Sequence, residues 1–314
     1  MRIWITGGGG FMGPHLADLL VKKGNEVLST YYPQEEKNKK INPKARYEEC
    51  DVRDKKRVYS ILKEFKPEKI FHLAAQSLPT VSWKDPWYTI DTNLIGTINI
   101  FEGIKEFKLN TKILVACSSA EYGYVDENEV PINENHSLKP LHPYGVSKVG
   151  QENLTYQYFK NFGINAIPVR IFNTTGPGKT NDVCSDFTKR IIEIEKGINK
   201  EKKLIVGNLE TRRAITDVRD IIKAFDMALD KARSGEVYNL SGEKVYQIKE
   251  IVEILKKLVD FKFSVEIDQK LIRPTDEPII YGDSSKFKKE TGWKQEIDLE
   301  KTLKDMLDYW RKVI

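Results

Sequence analysis

The stretch Arg2–Gly13, RIWITGGGGFMG, runs a short apolar segment straight into a row of glycines. Ile3 to Thr6 read as a buried strand, and a helical pattern begins near Met12. Gly7, Gly10 and Gly13 form a G-x-x-G-x-x-G array between the two. Positions without a side chain let the backbone turn sharply and approach a pyrophosphate, whose charge sits on the amides at the positive end of the helix. Elsewhere in a chain such glycines are ordinary turn punctuation. After the first strand of an alternating pattern they mark a dinucleotide site.

The rest of the first half supplies that alternation. Glu26 to Thr30, Arg46 to Cys50, Lys69 to Leu73, Lys112 to Cys117 and Asn165 to Ile171 read as further strands, with helical periodicity between them. Strands alternating with helices imply parallel pairing through right-handed crossovers, hence an α/β fold of the Rossmann type with a doubly wound parallel sheet. After Phe172 the rhythm loosens into loop residues Asn173, Gly176, Pro177 and Gly178. Helices are expected at Asp186 to Lys196, Asp217 to Lys231, Gln247 to Leu258 and Leu299 to Trp310, with a strand at Glu236 to Leu240 and an extended piece at Lys262 to Ile267. The expected organisation is a dinucleotide-binding domain over residues 1–172, to which 215–243 returns, and a smaller α/β substrate lobe over 173–214 and 244–314. Gln34 to Lys44, rich in Lys, Asn and Glu, reads as a solvated loop.

Bulk properties exclude several functions. The 314 residues are 40% hydrophobic, enough to bury a sizeable core. The 51 basic and 46 acidic side chains alternate and leave a net charge of +5, with no block resembling a nucleic-acid arm. Cys50, Cys117 and Cys184 are irregularly spaced, so no disulfide framework is expected and a reducing compartment is favoured. The opening residues lack the charged and long apolar regions of a signal peptide, and no apolar run approaches the length of a bilayer span. A cytoplasmic protein without membrane or nucleic-acid partners is expected.

The expected cofactor contacts are Gly7, Gly10, Phe11, Met12 and Gly13 in the turn, Asp51 and Val52 after the third strand, and Leu73, Ala74 and Ala75 after the fourth. Asp51 is placed to accept from an adenine amino group, or else to cap a turn or helix. A site that prefers NAD usually ends its second strand on an acidic residue for the ribose hydroxyl. Here the strand ends Ser29, Thr30, Tyr31, Tyr32, with Lys37, Lys39 and Lys40 close by in sequence. A 2′-phosphate meets no repulsion, so the choice between NADP(H) and NAD(H) leans to NADP.

Tyr144 and Lys148, in HPYGVSKVGQE, lie four residues apart on one helix face. A phenol titrates near pH ~10 unperturbed, and a neighbouring ammonium together with a cationic nicotinamide favours its phenolate. Tyr144 then becomes a usable acid or base. The fifth strand, ILVACSSAEYG, ends in Ser118 at the carboxyl edge of the sheet, where ligands bind in open α/β folds. Glycine turn, strand-end serine and Tyr/Lys pair are jointly far more specific than any of them alone.

Together these residues resemble the extended short-chain dehydrogenase/reductase superfamily. Further stretches, VRIFNTTGPG, VGNLETRRAITDVRDI, LIRPTDEPIIYGD, TGWKQEIDL and LKDMLDYWR, are similar to GDP-4-keto-6-deoxy-D-mannose reductases, relatives of the GDP-mannose dehydratases, essentially end to end. The resemblance implies a homodimer, Tyr144 and Lys148 in contact with the cofactor as well as the substrate, and a catalytic set of Ser118, Tyr144 and Lys148 completed by Asn93 of TNLIGT. It implies substrate contacts at Ser119, Asn173, Arg213, Arg273 and Asp276, the arginines on the nucleotide or diphosphate and the aspartate on the ribose. Guanidinium groups suit that role because they present paired donors.

Two positions depart from the pattern. The related dehydratases carry a glutamate where this chain has Ala120, and alanine cannot move the C-5 proton that loss of water requires. Glu121, one residue on, points differently from a strand end. Ala214 stands where the pattern has aspartate. The four histidines, His15, His72, His136 and His142, lack metal-ligand spacing, no metal is expected, and His72 reads as packed or backbone-bonded. The apolar helix Trp87 to Phe107 and the run Tyr156, Tyr158, Phe159 suit core packing or, by resemblance, the dimer. The implied reaction is hydride transfer at C-4 of a GDP-linked sugar, with reduction of GDP-4-keto-6-deoxy-D-mannose foremost. A GDP-sugar C-4 dehydrogenase and a nucleotide-sugar epimerase or 4,6-dehydratase are the alternatives, and a non-catalytic dinucleotide sensor is the bland one.

Overall fold

The computed structural model describes residues 1–32, 42–272 and 277–314. Lys37, Lys39, Lys40, Arg273 and Asp276 lie outside the described residues.

Seven strands form one sheet: β1 (Arg2–Thr6), β2 (Glu26–Tyr31), β3 (Arg46–Glu49), β4 (Lys69–His72), β5 (Lys112–Ser118), β6 (Ala166–Ile171) and β7 (Tyr238–Leu240). Their order is β7-β6-β5-β4-β1-β2-β3 and every pairing is parallel. The order reverses at β1 and β4, the crevice where an open α/β sheet binds its ligand. The expected fold class is therefore the observed one.

Side-chain alternation explains why these segments are strands buried on both faces. Ile3 and Ile5 pack with Leu16, Leu20, Phe71, Leu114 and Phe225 on one face. Trp4 packs with Val58, Leu62, Ile70, Phe101, Ile113 and Val115 on the other. Helices α1 (Met12–Lys22) and α2 (Lys55–Phe65) cover these faces. Asp54 caps α2 by accepting from the Arg57 amide. A continuous helical run follows over Pro86–Glu106, here α3, with π-helical turns at Asp91–Ile95. Next comes α4 (Pro143–Phe162), begun by Pro143 at its first turn and ended by Gly163 at φ +65°.

A separate core joins Phe187, Ile191, Leu204, Ile251, Leu255, Leu303, Met306 and Trp310. It is formed by the helices Val183–Glu195, Ile248–Lys257 and Leu299–Val313 with the parallel pair Lys203–Val206 and Ser264–Ile267. Between these elements the chain visits the main sheet again: the helix Val218–Lys231 packs against α1, and β7 pairs with β6. Cys50, Cys117 and Cys184 are buried free thiols. Among the described residues no helix is long and apolar enough to cross a membrane.

Gly7 has φ +67°, and a Cβ there would lie 2.7 Å from the Ala74 backbone nitrogen. Gly7→Ala combines positive-φ strain with that clash and is expected to lower the unfolding free energy by about 2 kcal/mol, measurable by urea denaturation.

Candidate active site

The glycine turn is built around absent side chains. A Cβ at Gly8 would overlap the Ser29 hydroxyl at 1.8 Å, and one at Gly13 would meet Gly8 Cα at 2.5 Å. The Gly10 amide closes the turn by donating to the Gly7 carbonyl at 3.1 Å. What remains at the amino end of α1 is bare backbone, the surface a diphosphate requires. Phe11 and Met12 lie in and just after this turn, while Leu73 and Ala74 are drawn to it by bonds from their amides to the Thr6 carbonyl (3.3 Å) and hydroxyl (3.1 Å). Ala75 continues that loop and is part-buried. The residues present fit a dinucleotide.

At the far end of the groove, the Asp51 carboxylate is already engaged. Arg53 donates to it from its backbone at 2.9 Å and from its guanidinium at 2.6 to 3.1 Å. Burial opposes the charge, but the bonds from Arg53 outweigh it and hold the carboxyl below its usual range. The Arg53 guanidinium carbon sits 5.8 Å from the Tyr32 ring and 5.1 Å from that of Tyr88. Val52 is buried against Gly96, where a Cβ would approach its Cγ2 to 2.6 Å.

A buried polar chain then links the turn to the Tyr/Lys pair. His72 bonds the Thr6 hydroxyl through Nδ1 (2.8 Å) and the Thr97 hydroxyl through Nε2 (2.9 Å). Gln151 donates to the Thr97 oxygen at 2.7 Å, and its own carbonyl accepts from Lys148 Nζ at 2.7 Å. Lys148 also donates to the Ala116 carbonyl at 2.7 Å. His72 is packed as expected, but its partners are side chains rather than backbone. Burial, aided by the charge on Lys148, lowers its pKa to about 3, so the ring is neutral. Asn93 sits in the π-helical turn and turns its amide inward, to the Gln76 backbone (2.8 and 3.0 Å) and the Ser147 hydroxyl (2.8 Å). It is fully buried, held between the Gln76 backbone and α4. A π-turn at such a place is common at functional sites.

Ser118 ends β5 with its side chain close to the Tyr144 hydroxyl. His142 caps α4 by accepting from the Gly145 amide at 3.0 Å, and its ring stacks on Tyr144 with centroids 5.8 Å apart. Lys148 Nζ lies 5.7 Å from the Tyr144 ring centre. The expected lowering of the phenol is not what the protein's own groups produce. Burial pushes it up to about 12 against the lowering influence of Ser118, while the Lys148 ammonium is directed to the Ala116 and Gln151 carbonyls instead of the phenol oxygen. Lys148 itself is lowered to about 8 by burial.

Of the expected substrate contacts, Ser119 begins the 3-10 turn after β5 and is part-buried. Asn173 follows β6 and carries a buried amide nitrogen without a hydrogen-bond partner. Arg213 donates to the Arg212 and Glu277 carbonyls, both at 2.9 Å, in a three-stranded sheet away from the main one. Ala214 is fully buried beside it.

Thr97, Gln151 and His142 went unrecognised in the sequence, although Thr97 lies four residues after Asn93 and Gln151 three after Lys148, the helical spacings that share a face. A loop contact was also missed: His15 donates to the Pro177 carbonyl at 2.8 Å, and Lys179 lies 4.8 Å from the Phe11 ring.

A doubly wound sheet with a bare glycine turn and a strand-end Ser beside a helical Tyr/Lys pair defines a nicotinamide-dependent enzyme of the extended short-chain dehydrogenase/reductase type, one acting on nucleotide sugars. The chain belongs to the GDP-mannose 4,6 dehydratase family, whose model matches residues 4–306. It is 28% identical to a GDP-6-deoxy-D-mannose reductase of Pseudomonas aeruginosa over 98% of this chain and 97% of that one. It is 32% identical to a putative UDP-glucose 4-epimerase of Methanocaldococcus jannaschii, over 99% and 98%. The structure of RMD from Pseudomonas aeruginosa complexed with NADPH superposes with a TM-score of 0.86 at 26% identity, covering 100% of this chain and 99% of that chain.

Lys148 gives a pH signature. Its folded pKa, about 8, lies below the unfolded value near ~10.4. Between the two the unfolded chain binds the extra proton, so this group makes stability rise with pH. Above pH ~10 the raised Tyr144 pulls the other way, since the folded state then holds the extra proton. Wild type is expected to gain stability relative to Lys148→Met between pH 8 and 10 in paired urea titrations.

Proposed function

We propose that the protein reduces the C-4 ketone of a GDP-linked 6-deoxyhexose, GDP-4-keto-6-deoxy-D-mannose or a close relative, to the alcohol. The observation that carries this reading is the convergence of Ser118, Tyr144 and Lys148 at the carboxyl edge of the sheet, next to the glycine turn. Ser118 hydrogen-bonds the substrate carbonyl oxygen and Tyr144 gives that oxygen its proton. Lys148 sets the electrostatics beneath the phenol and bonds the cofactor ribose. The nicotinamide, when bound, supplies the hydride and, once oxidised, a positive charge near Tyr144. Gly7, Gly10, Phe11, Met12 and Gly13 hold the diphosphate, with Asp51 and Val52 toward the adenine and Leu73, Ala74 and Ala75 lining the groove.

Asn173 supports the nucleotide-sugar side, because a buried amide donor without a partner is costly unless a ligand oxygen meets it. Ser119, Arg213, Arg273 and Asp276 complete the proposed substrate set. Ala120 disfavours 4,6-dehydration for want of a base. The second strand ends Tyr31, Tyr32 without a carboxylate, which supports NADP over NAD, as does the NADPH in the Pseudomonas aeruginosa structure. C-4 epimerisation is the second reading, favoured by the likeness to the putative Methanocaldococcus jannaschii epimerase.

We place the enzyme in the cytoplasm, in the supply of precursors for surface polysaccharide. It acts as a homodimer through α3 and α4, where Trp87, Ile95, Val146, Tyr156 and Phe162 are exposed apolar residues.

Mixed with NADPH or NADH and GDP-4-keto-6-deoxy-mannose, wild type is expected to bleach the reduced-nicotinamide absorbance. Tyr144→Phe should slow this by roughly 10²–10⁴-fold while still binding cofactor. An unchanged band together with C-4 inversion of an intact nucleotide sugar would establish the epimerase instead. Tyr156→Asp is expected to convert dimer to monomer in light scattering, and a wild type that is already monomeric would refute the interface.

A further inference from the structure

A cluster of titratable groups lies directly behind the catalytic serine and is not consumed by the chemistry above. Glu121 ends the turn after β5 and is fully buried. Its Oε1 accepts from the Ser118 amide at 2.8 Å, while the Ser118 hydroxyl oxygen accepts from the Ala120 amide at 3.2 Å. Together they form a reciprocal box that fixes both the peptide and the side chain of Ser118. With its oxygen already accepting from Ala120, the Ser118 hydroxyl is oriented to donate its proton outward, toward Tyr144 and the substrate oxygen.

The second oxygen of Glu121, Oε2, is buried and has no donor. The nearest cation is Arg170, 3.6 Å away through Nε. Arg170 is committed elsewhere: it forks onto Glu152 at 2.7 and 2.6 Å, and donates to the Tyr122 hydroxyl at 2.7 Å and the Glu134 carbonyl at 3.0 Å. Glu152 lies within hydrogen-bonding reach of Glu121, and with Cys117 the three groups present atoms within 4.8 Å of one another. Among the described residues Arg170 is the one cation within ion-pair distance of either carboxyl, while Lys148, whose charge also reaches Glu121, is bonded to the Ala116 and Gln151 carbonyls, and two adjacent carboxyl groups in so dry a pocket do not both ionise. The forked pair keeps Glu152 charged, so the proton falls to Glu121. Burial and the neighbouring Glu152 both push the Glu121 carboxyl well above its ordinary range, in the direction the geometry requires.

We infer that Glu121 is a neutral carboxylic acid and a positioning residue for Ser118, its Oε1 holding the serine peptide and its protonated Oε2 donating to Glu152. This rests on Ser118 being the group that bonds the substrate oxygen. The proton satisfies the orphaned oxygen, and Arg170 already supplies the positive charge that a metal ion would bring to the same three ligands.

Two measurements test it together. Infrared difference spectra of wild type against Glu121→Gln at neutral pH should show the carbonyl band of one buried carboxylic acid, lost in the variant. In steady-state assays Glu121→Leu is expected to lower kcat about tenfold with KM unchanged, and Glu121→Gln, which keeps an acceptor for Ser118 and a donor for Glu152, to recover most of that loss. No acid band in wild type, or a Gln variant as impaired as the Leu variant, overturns the inference. If Glu121→Leu fails to fold, the band and the Gln variant decide. A wild type inactive on the proposed substrate sinks the functional reading, and the band alone then decides the state of Glu121.

Discussion

An ammonium buried beneath the carboxyl edge of the sheet sets the terms for everything around it. Lys148 is almost wholly enclosed, and its hydrogen-bond partners are two neutral acceptors, the Ala116 carbonyl and the Gln151 amide. A group so held retains its proton only narrowly, and a second positive charge within the same buried chain of hydrogen bonds is disfavoured. His72 obeys this by remaining neutral between two threonine hydroxyls. The hydroxyls and amides of Thr6, Thr97 and Gln151 pass hydrogen bonds along without adding charge, which ties the end of β1, and with it the glycine turn, to the position of the lysine.

The same balance explains why the phenol is not ready on its own. The protein half-buries Tyr144, sets Ser118 against its hydroxyl and stacks His142 on its ring, yet leaves it a weaker acid than a free phenol. Placement is complete, while the electrostatic push is left to whatever charge arrives with the ligands. A permanently ionised tyrosine would be a poor proton donor, so a pair matched only when loaded suits the reduction proposed for it.

The sequence exposed the parts whose signal is local. All seven strands of the main sheet fell within a residue or two of their expected bounds, because β-branched runs closed by turn residues have few other fates. The glycine array and the four-residue step from Tyr144 to Lys148 were visible for the same reason. The polar chain was not, since Thr6, His72, Thr97 and Gln151 come from separate segments and look unremarkable singly. For Asp51 the linear reading left adenine acceptor and turn cap open, and the structure has it capping its own turn at the Arg53 amide, with the Arg53 guanidinium folded onto it as well. Glu121 could be excluded from one role by strand geometry, but its interior partners, Arg170 and Glu152, become neighbours only once β5, β6 and α4 are packed.

The return of β7 to the edge of the sheet has a consequence for how the chain can come apart. Between β6 and β7 the polypeptide leaves for the second core and returns, and after β7 it leaves again. Neither core corresponds to a contiguous length of chain, so cutting at any one peptide releases no intact half. A fragment ending near Phe172 would expose β6 as an unpaired hydrophobic edge and strip the sheet of Val218, Ile221 and Phe225. Such a fragment is prone to self-association, which makes the arrival of the last third of the chain, rather than completion of the glycine-turn half, the event that closes the sheet of a nascent molecule.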